Sequence, residues 1–280
     1  MPEAVISPAQ PAAMGIHYHY YSLRYMLAAQ RRAGYQSIEL FCGAPHVQLT
    51  AEGVADRGEL IRTIRESGLQ VVCVTPDNCM GPWQYAAAGA ETIAQSRRYF
   101  LHTLQLAADL GCTQVACHSG WGLLDEPREE AWKRSLDFMD WYCGEAKKLG
   151  LTLVMESLRA AESNLVNCLP ALQQYLGELD RDNIKPMIDT CAMAVAGETM
   201  EEWFQAFGNE IAHMHFVDGI PHFHLAWGDG DRPLERYMET IRANRYRGAL
   251  TQEITDGRYY TDPAKADEQS YRILREYMEI

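Results

Sequence analysis

The chain alternates between short β-type apolar runs and longer segments in which apolar residues recur at helical spacing. The short runs predict buried strands, and the helical spacing predicts amphipathic helices. Eight strands are predicted, at residues 15–19, 37–41, 70–74, 114–118, 152–156, 185–189, 212–216 and 249–253. A helix is predicted after each of them, at residues 23–33, 58–66, 92–110, 129–149, 169–176, 200–207, 234–244 and 263–278.

The order of these elements predicts the fold. Regular strand–helix alternation implies a parallel sheet, because each helix returns the chain to the start of the next strand. Eight such units close the sheet, so the predicted fold class is α/β, a single (β/α)8 barrel. The alternative is a doubly wound open sheet with a glycine-rich phosphate loop after an early strand. The first turn reads YHYYSLRY and contains no such loop.

The length of 280 residues suits one barrel. We expect residues 1–13 to form a loose N-terminal tail and residues 14–280 to form the catalytic barrel domain, since no linker-like segment divides the rest of the chain. The first residues carry neither the basic start nor the apolar core of a signal peptide. No apolar run reaches the roughly 18 residues of a membrane-spanning helix.

The formal net charge of −13 argues against two classes of partner. Nucleic acids and anionic membrane surfaces both attract basic protein faces, so we expect neither of them. The eight cysteines form no CxxC pair, and most lie in apolar runs, which favours reduced thiols and a cytoplasmic protein. The sequence leaves the oligomeric state open, with a homo-oligomer among the alternatives.

Four consecutive predicted strands end in a side chain that can bind a metal ion, namely Glu156, Asp189, His215 and Glu253. The carboxyl ends of barrel strands share one face, so the four side chains should converge at the barrel mouth. Buried carboxylates need a compensating charge. Three carboxylates and one imidazole suit a divalent ion, best Mn²⁺, with Mg²⁺ or Co²⁺ as alternatives. Taken alone, Asp189 could instead cap the helix that follows it.

Further polar residues lie near the predicted strand ends. His213 and Asp218 compete with His215 as metal ligands, His213 from deeper in the barrel and Asp218 from past the strand end. For His118 the alternative to a functional role is a core histidine, and for His46 and His224 it is an exposed loop position. The candidates for substrate binding are His46, His118, Glu162, Asn164 and His224.

At these residues the sequence resembles the sugar isomerase/epimerase superfamily of xylose isomerase-like TIM barrels, and within it the ketose 3-epimerases. The stretches GYQSIELFCGAPH, ESNLVNC, IDTCA, HMHFVD and GALTQEIT are similar to the fructoselysine 3-epimerase type. The resemblance spans nearly the whole chain after the tail. It rests on E-x5-E-x-N at Glu156, Glu162 and Asn164, ID at Asp189, H-x-H-x-x-D at His213, His215 and Asp218, H-x3-G-x-G at His224, Gly228 and Gly230, and the terminal Glu253.

The resemblance implies a metal-dependent epimerase that inverts C3 of a ketose or a fructoselysine-like ketose derivative, a small-molecule sugar, through an enediolate. The metal ion would be bound by Glu156, Asp189, His215 and Glu253. It would act as a Lewis acid on the carbonyl oxygen of the substrate and its neighbouring hydroxyl. Glu156 and Glu253 would be the catalytic pair on opposite faces of the substrate, one removing the C3 proton and the other returning a proton. Glu162 would hold a substrate hydroxyl.

Two departures from the ketose 3-epimerase pattern bear on the substrate. The family carries a substrate-binding histidine three residues after the aspartate, where this chain has Ala192, and an arginine six residues after the metal histidine, where it has Pro221. An aldose–ketose isomerase, or a lyase or dehydratase acting on a sugar derivative, could use the same metal site and remains an alternative. An endonuclease IV-like function would need more metal histidines and a basic face.

Overall fold

Eight parallel strands close into a barrel in the order in which they occur along the chain. The structure is a computed structural model that describes residues 6–79 and 81–278. The barrel closes where Pro11 pairs with Leu250, and it confirms the predicted (β/α)8 fold. The strands are β1 (Pro11–Ala13), β2 (Ser37–Cys42), β3 (Gln70–Pro76), β4 (Gln114–Cys117), β5 (Thr152–Glu156), β6 (Ile184–Asp189), β7 (His213–His215) and β8 (Leu250–Gln252).

Helices follow the strands on the outside of the barrel, close to the predicted positions. They are α1 (Leu23–Ala33), α2 (Arg57–Ser67), α3 (Ala90–Leu110), α4 (Arg128–Lys148), α5 (Leu169–Leu179), α6 (Thr190–Val195), α7 (Met200–Phe207), α8 (Leu234–Ala243) and α9 (Pro263–Arg275). The sequence pattern did not predict the short helix α6, a small antiparallel hairpin of Leu49–Thr50 with Gly53–Val54, or the 3-10 helices Gly208–Glu210 and Gly257–Tyr259.

The first strand lies earlier than predicted. Residues Ile16–Tyr18, expected to be in the first strand, form a 3-10 helix, and Pro11–Ala13 form β1 inside the segment expected to be a loose tail. Ile6 is also fully buried, and its N–H donates to the carbonyl of Tyr277 at 3.1 Å. The tail prediction is therefore wrong from residue 6 onward, while residues 1–5 lie outside the described residues.

Helix ends follow local signals that the sequence carries. Ser22 caps α1, because its hydroxyl accepts a hydrogen bond from the N–H of Tyr25. Gly34 ends the same helix at φ 117°, and a Cβ there would lie 2.4 Å from the ring of Tyr271. Glycine is thus required at Gly34 both by the backbone and by the close packing of α9. Among the described residues, no helix combines the length and the apolar composition needed to cross a membrane.

Candidate metal centre

The four predicted metal ligands converge at the mouth of the barrel. Glu156, Asp189 and His215 are the last residues of β5, β6 and β7, and Glu253 directly follows β8. One ligand atom from each lies within 4.8 Å of those of the other three. The parallel register of neighbouring strands brings their carboxyl ends to one place, as when Asp189 pairs with His215. The arrangement can surround one ion.

His215 supplies the clearest test of whether an ion fits. Its buried Nδ1 lies 3.0 Å from Glu253 Oε2 and 3.4 Å from Glu156 Oε1, yet it has no hydrogen-bond partner among the described residues. Buried ring nitrogens are nearly always partnered. This nitrogen and the two carboxylates that it faces form a donor set of the kind that hard or borderline divalent cations bind. The residues therefore fit a metal ion.

The electrostatics of the site also favour a cation. Burial raises the pKa of Glu156 to about 8, and Asp189 and Glu253 add to this shift against the effect of His215. Burial also opposes the ionisation of Asp189, but the charge and hydrogen bond of His224 outweigh it and hold the pKa of Asp189 below its ordinary value. Three carboxylates packed this closely repel one another, and a divalent ion between them would relieve that repulsion.

Asp189 both caps a helix and faces the candidate metal site. Its Oδ1 accepts hydrogen bonds from the backbone N–H groups of Cys191 at 2.5 Å and Ala192 at 3.0 Å, and so caps α6. Its Oδ2 faces the mouth, 2.7 Å from Nε2 of His224. The cap engages Oδ1, and Oδ2 faces the site beside His224.

His224 is not an exposed loop residue, since only 6% of it is accessible. Its Nε2 contacts Asp189 and lies 3.4 Å from Glu253 Oε2, at the edge of the ligand cluster. Burial opposes protonation of this imidazole, but the Asp189 carboxylate raises the pKa of His224 to about 9. The predicted substrate-binding residue thus lies directly beside two predicted metal ligands.

The two competing ligands have other partners. Nε2 of His213 lies 2.6 Å from Oε2 of Glu39, below the cluster. Asp218 organises the loop that carries His224, and a Cβ at Gly230 would lie 2.4 Å from its Oδ1. The carboxylate of Asp218 accepts hydrogen bonds from the backbone N–H groups of Gly219, Gly228, Gly230 and Arg232.

His118 lies at the mouth but is almost fully buried, with 5% of its surface accessible. Its Nδ1 accepts the backbone N–H of Gly120 at 3.0 Å, and its Nε2 lies 3.9 Å from Sγ of Cys79. The neutral ring therefore carries its proton on Nε2. Burial lowers the pKa of His118 to about 4, against the opposing charge of Glu162. This geometry is compatible both with packing and with donation to a substrate.

The remaining predicted substrate-binding residues already have hydrogen-bond partners in the loops that follow the strands. Glu162 accepts hydrogen bonds from Arg159 through Nε at 2.9 Å and the backbone N–H at 3.1 Å. The amide of Asn164 exchanges two hydrogen bonds with the backbone of Gly122, at 2.8 and 2.9 Å. Nε2 of His46 lies 3.0 Å from a backbone carbonyl, that of Tyr21. The contacts of the described residues link neither His46 nor Asn164 to the four ligands.

Sequence reasoning missed two charged residues near the site. Glu39 lies within β2 and contacts both His213 and His215 from below. Arg159 follows β5, holds Glu162, and donates to the carbonyl of His222 in the loop after β7. A carboxylate inside the apolar run SIELFC was the available signal for Glu39. Arg159 gave no such signal, because a loop arginine is usually solvated.

Residues 27–277 match the family of xylose isomerase-like TIM barrels. The chain belongs to this family. It is 28% identical over 254 residues to fructoselysine 3-epimerase of Escherichia coli O157:H7, covering 86% of this chain and 88% of the relative. It is 27% identical over 252 residues to L-ribulose 3-epimerase of Mesorhizobium japonicum, covering 86% of this chain and 81% of the relative. Both matches agree with the resemblance seen in the motifs.

Solved structures support the same fold. A structure of L-ribulose 3-epimerase superposes with a TM-score of 0.78 at 20% identity, covering 96% of this chain and 94% of that one. The apo structure of 3-keto-D-glucoside 4-epimerase from E. coli gives a TM-score of 0.79 at 16% identity, covering 95% and 99%. Likenesses at this level of identity establish the barrel, whereas chemistry has to be argued from the site.

Proposed function

We propose that the protein is a metal-dependent epimerase that inverts C3 of a ketose or a ketose derivative. The observation that carries the proposal is the convergence of three carboxylates and one imidazole at the ends of β5 to β8. The curated relatives named as fructoselysine, L-ribulose and D-psicose 3-epimerases support this reaction class. A binding protein without catalysis would have no use for such a donor set.

The ion would be held by Glu156, Asp189, His215 and Glu253. Mn²⁺ suits this set best, with Mg²⁺ or Co²⁺ as alternatives, because oxygen donors predominate and a single imidazole adds borderline character. A divalent ion there would supply Lewis-acid stabilisation of the negative charge that develops on the substrate oxygens. The Asp189 cap on α6 and the contact of His215 with Glu39 hold two of these side chains in place.

Glu156 and Glu253 are assigned the proton transfers. Their side chains are 13% and 16% exposed, whereas that of Asp189 is only 3% exposed, so the two glutamates are the ligands that reach the mouth. Nδ1 of His215 lies 3.4 Å from Glu156 Oε1 and 3.0 Å from Glu253 Oε2, and the proposed mechanism requires the two carboxylates to face opposite sides of the bound substrate. One glutamate would take the proton from C3 as the C3–H bond breaks. The other would deliver a proton to the opposite face of C3, which inverts the centre.

Other mouth residues would orient the substrate. Glu162, held by Arg159, would accept a substrate hydroxyl, and the Nε2–H of His118 would donate to a substrate oxygen. His224 would add a donor beside Asp189. His46 and Asn164 stay in the proposed substrate-binding set, although their own hydrogen bonds are to backbone groups.

A substituted ketose suits the mouth better than a free one. Ala192 and Pro221 stand where free-ketose epimerases carry a histidine and an arginine, so two polar contacts to a small sugar are missing. A fructoselysine-like compound carries a substituent beyond the sugar, so its recognition would not have to depend on these two contacts. The eight free thiols also support the proposed cytoplasmic location.

The test is turnover in D₂O by the Mn²⁺-loaded protein, with fructoselysine and with free ketoses such as fructose and ribulose. We expect deuterium at C3 together with inversion there, detected by NMR, and a higher rate with fructoselysine. Label at C1 or C2 with aldose formation would identify an isomerase instead. Loss of water or chain fragmentation would identify a dehydratase or lyase. A Glu253→Gln sample, which keeps the shape of the side chain, controls for uncatalysed exchange.

A further inference from the structure

Glu39 is a buried carboxylate directly below the candidate metal centre. It lies within β2 and is 1% exposed. Its Oε1 lies 3.1 Å from Nε2 of His215, and its Oε2 lies 2.6 Å from Nε2 of His213. Thr75 on β3 also donates its hydroxyl to Oε1. One carboxylate therefore contacts two histidines of the same strand, β7.

We infer that Glu39 is a positioning residue that orients His215 for metal binding. A carboxylate at Nε2 is an acceptor only, so it holds the ring proton on Nε2 and leaves the lone pair on Nδ1. Nδ1 is the buried, unpartnered nitrogen that faces Glu156 and Glu253. A carboxylate behind a ligating histidine fixes both the tautomer and the ring orientation. The inference rests on the proposed metal centre.

His213 completes the arrangement. Its Nε2 lies 2.6 Å from Glu39 Oε2 and 3.2 Å from Oγ1 of Thr251 on β8. Both oxygens of Glu39 are thereby engaged, and the carboxylate cannot rotate without losing a contact. His213 thus acts on the site through Glu39.

The three residues Glu39, His213 and His215 could alternatively hold an ion of their own. An ion about 2.1 Å from each ligand atom would keep those atoms about 3 Å or more apart. The separation of 2.6 Å between Glu39 and His213 is instead that of a charge-assisted hydrogen bond. The geometry therefore points to an ion above His215 and not to a separate ion among Glu39, His213 and His215.

The test compares Glu39→Gln with wild type by metal binding, measured by calorimetry with Mn²⁺ and by competition with a chromophoric chelator. We expect Glu39→Gln to weaken binding by about 10- to 100-fold, with one ion per chain in both proteins. The matched control is Asp267→Asn. Asp267 is also a fully buried carboxylate, 3.2 Å from Nε2 of His17, but it lies on α9. We expect this control to leave the Mn²⁺ dissociation constant unchanged.

A second measurement reads the tautomer directly. In ¹⁵N-histidine NMR spectra of the protein loaded with diamagnetic Mg²⁺, His215 should carry its proton on Nε2 in the wild type, and this pattern should become mixed in Glu39→Gln. If Glu39→Gln does not fold, Thr75→Val replaces it, because it removes only the hydroxyl that holds Oε1. That variant should weaken Mn²⁺ binding severalfold.

The outcomes separate this inference from the proposed function. A wild-type protein that binds no divalent ion would overturn the metal centre itself. If the wild type binds Mn²⁺ and a folded variant at Glu39 or Thr75 binds it with the same dissociation constant, only the positioning role is overturned. Two ions in the wild type and one in Glu39→Gln would make Glu39 a direct ligand.

Discussion

His118 should make the stability of the protein depend on pH, and the structure gives the magnitude. Its ring is buried with Nδ1 bound to the N–H of Gly120, and burial lowers its pKa to about 4. In the unfolded chain a histidine has a pKa of about 6.5. At pH values between these two pKa values, His118 binds a proton in the unfolded state but not in the folded state. Acid therefore favours unfolding.

The size of the effect follows from the gap between the two pKa values. A gap of about 2.5 corresponds to about 3 kcal/mol of unfolding free energy, since each pKa unit is about 1.4 kcal/mol. This stability is fully present above pH 6.5 and is lost as the pH falls toward 4. The fold should tolerate His118→Gln as a comparison, because glutamine can accept the Gly120 N–H but does not titrate.

The assay is urea unfolding of wild type and His118→Gln at pH 7, 5.5 and 4, with a chelator present so that metal release does not contribute. We expect the wild type to lose about 3 kcal/mol more than the variant between pH 7 and pH 4. Parallel losses in both proteins would refute the reasoning, because they would mean that His118 takes up its proton in the folded state. The kinetics of His118→Gln at pH 7 show whether His118 contacts the substrate or only packs in the core. A lower kcat/KM with normal metal content indicates substrate contact, and normal kinetics with a lower melting temperature indicate packing alone.

Three further outcomes test the site. Glu156→Gln and Glu253→Gln should each reduce turnover by at least 100-fold in a folded protein, with metal content measured alongside, and activity above a tenth of wild type in either one would contradict its assigned role. Exhaustive chelation should abolish turnover but lower stability only by the binding contribution, about 2.7 kcal/mol at 100 times the dissociation constant, so unfolding on chelation would contradict a purely catalytic ion. Glu162→Gln should leave metal stoichiometry unchanged and lower kcat/KM. The control Glu129→Gln, at an exposed position of α4, should change neither.

The elements that the sequence predicted well are those with local signals. The strands β2 to β8 lie within largely apolar runs of about five residues that can be recognised, and most helices have a cap or a terminal glycine within a few residues. The four candidate ligand positions followed from one local feature, a polar residue at the end of an apolar strand. Strand polarity then brought them together without any further information.

The elements that were missed depend on distant contacts. Pro11–Ala13 lies in the run PAQPAA, which lacks the large and β-branched side chains of a typical strand, whereas the aromatic run after it is typical of one. In the folded protein His17 and Tyr18 turn instead toward Asp267, about 250 residues away, with the Tyr18 hydroxyl donating to its carboxylate at 2.7 Å. Helix α6 was missed because it is short and almost entirely apolar, so it lacks the polar face that marks a surface helix.

Glu39 shows how a contact between residues far apart in the chain could be recognised from the sequence. It is separated by 174 and 176 residues from the two histidines it contacts, so no local pattern connects them. A glutamate in the middle of a buried strand nevertheless requires a partner, because an unpaired buried carboxylate is costly. His213 and His215 are two positions apart on β7, which places both rings on one face of that strand. A carboxylate inside one strand and two histidines of equal parity on another are therefore a pattern from which a buried Glu–His contact such as that of Glu39 with His215 could be predicted.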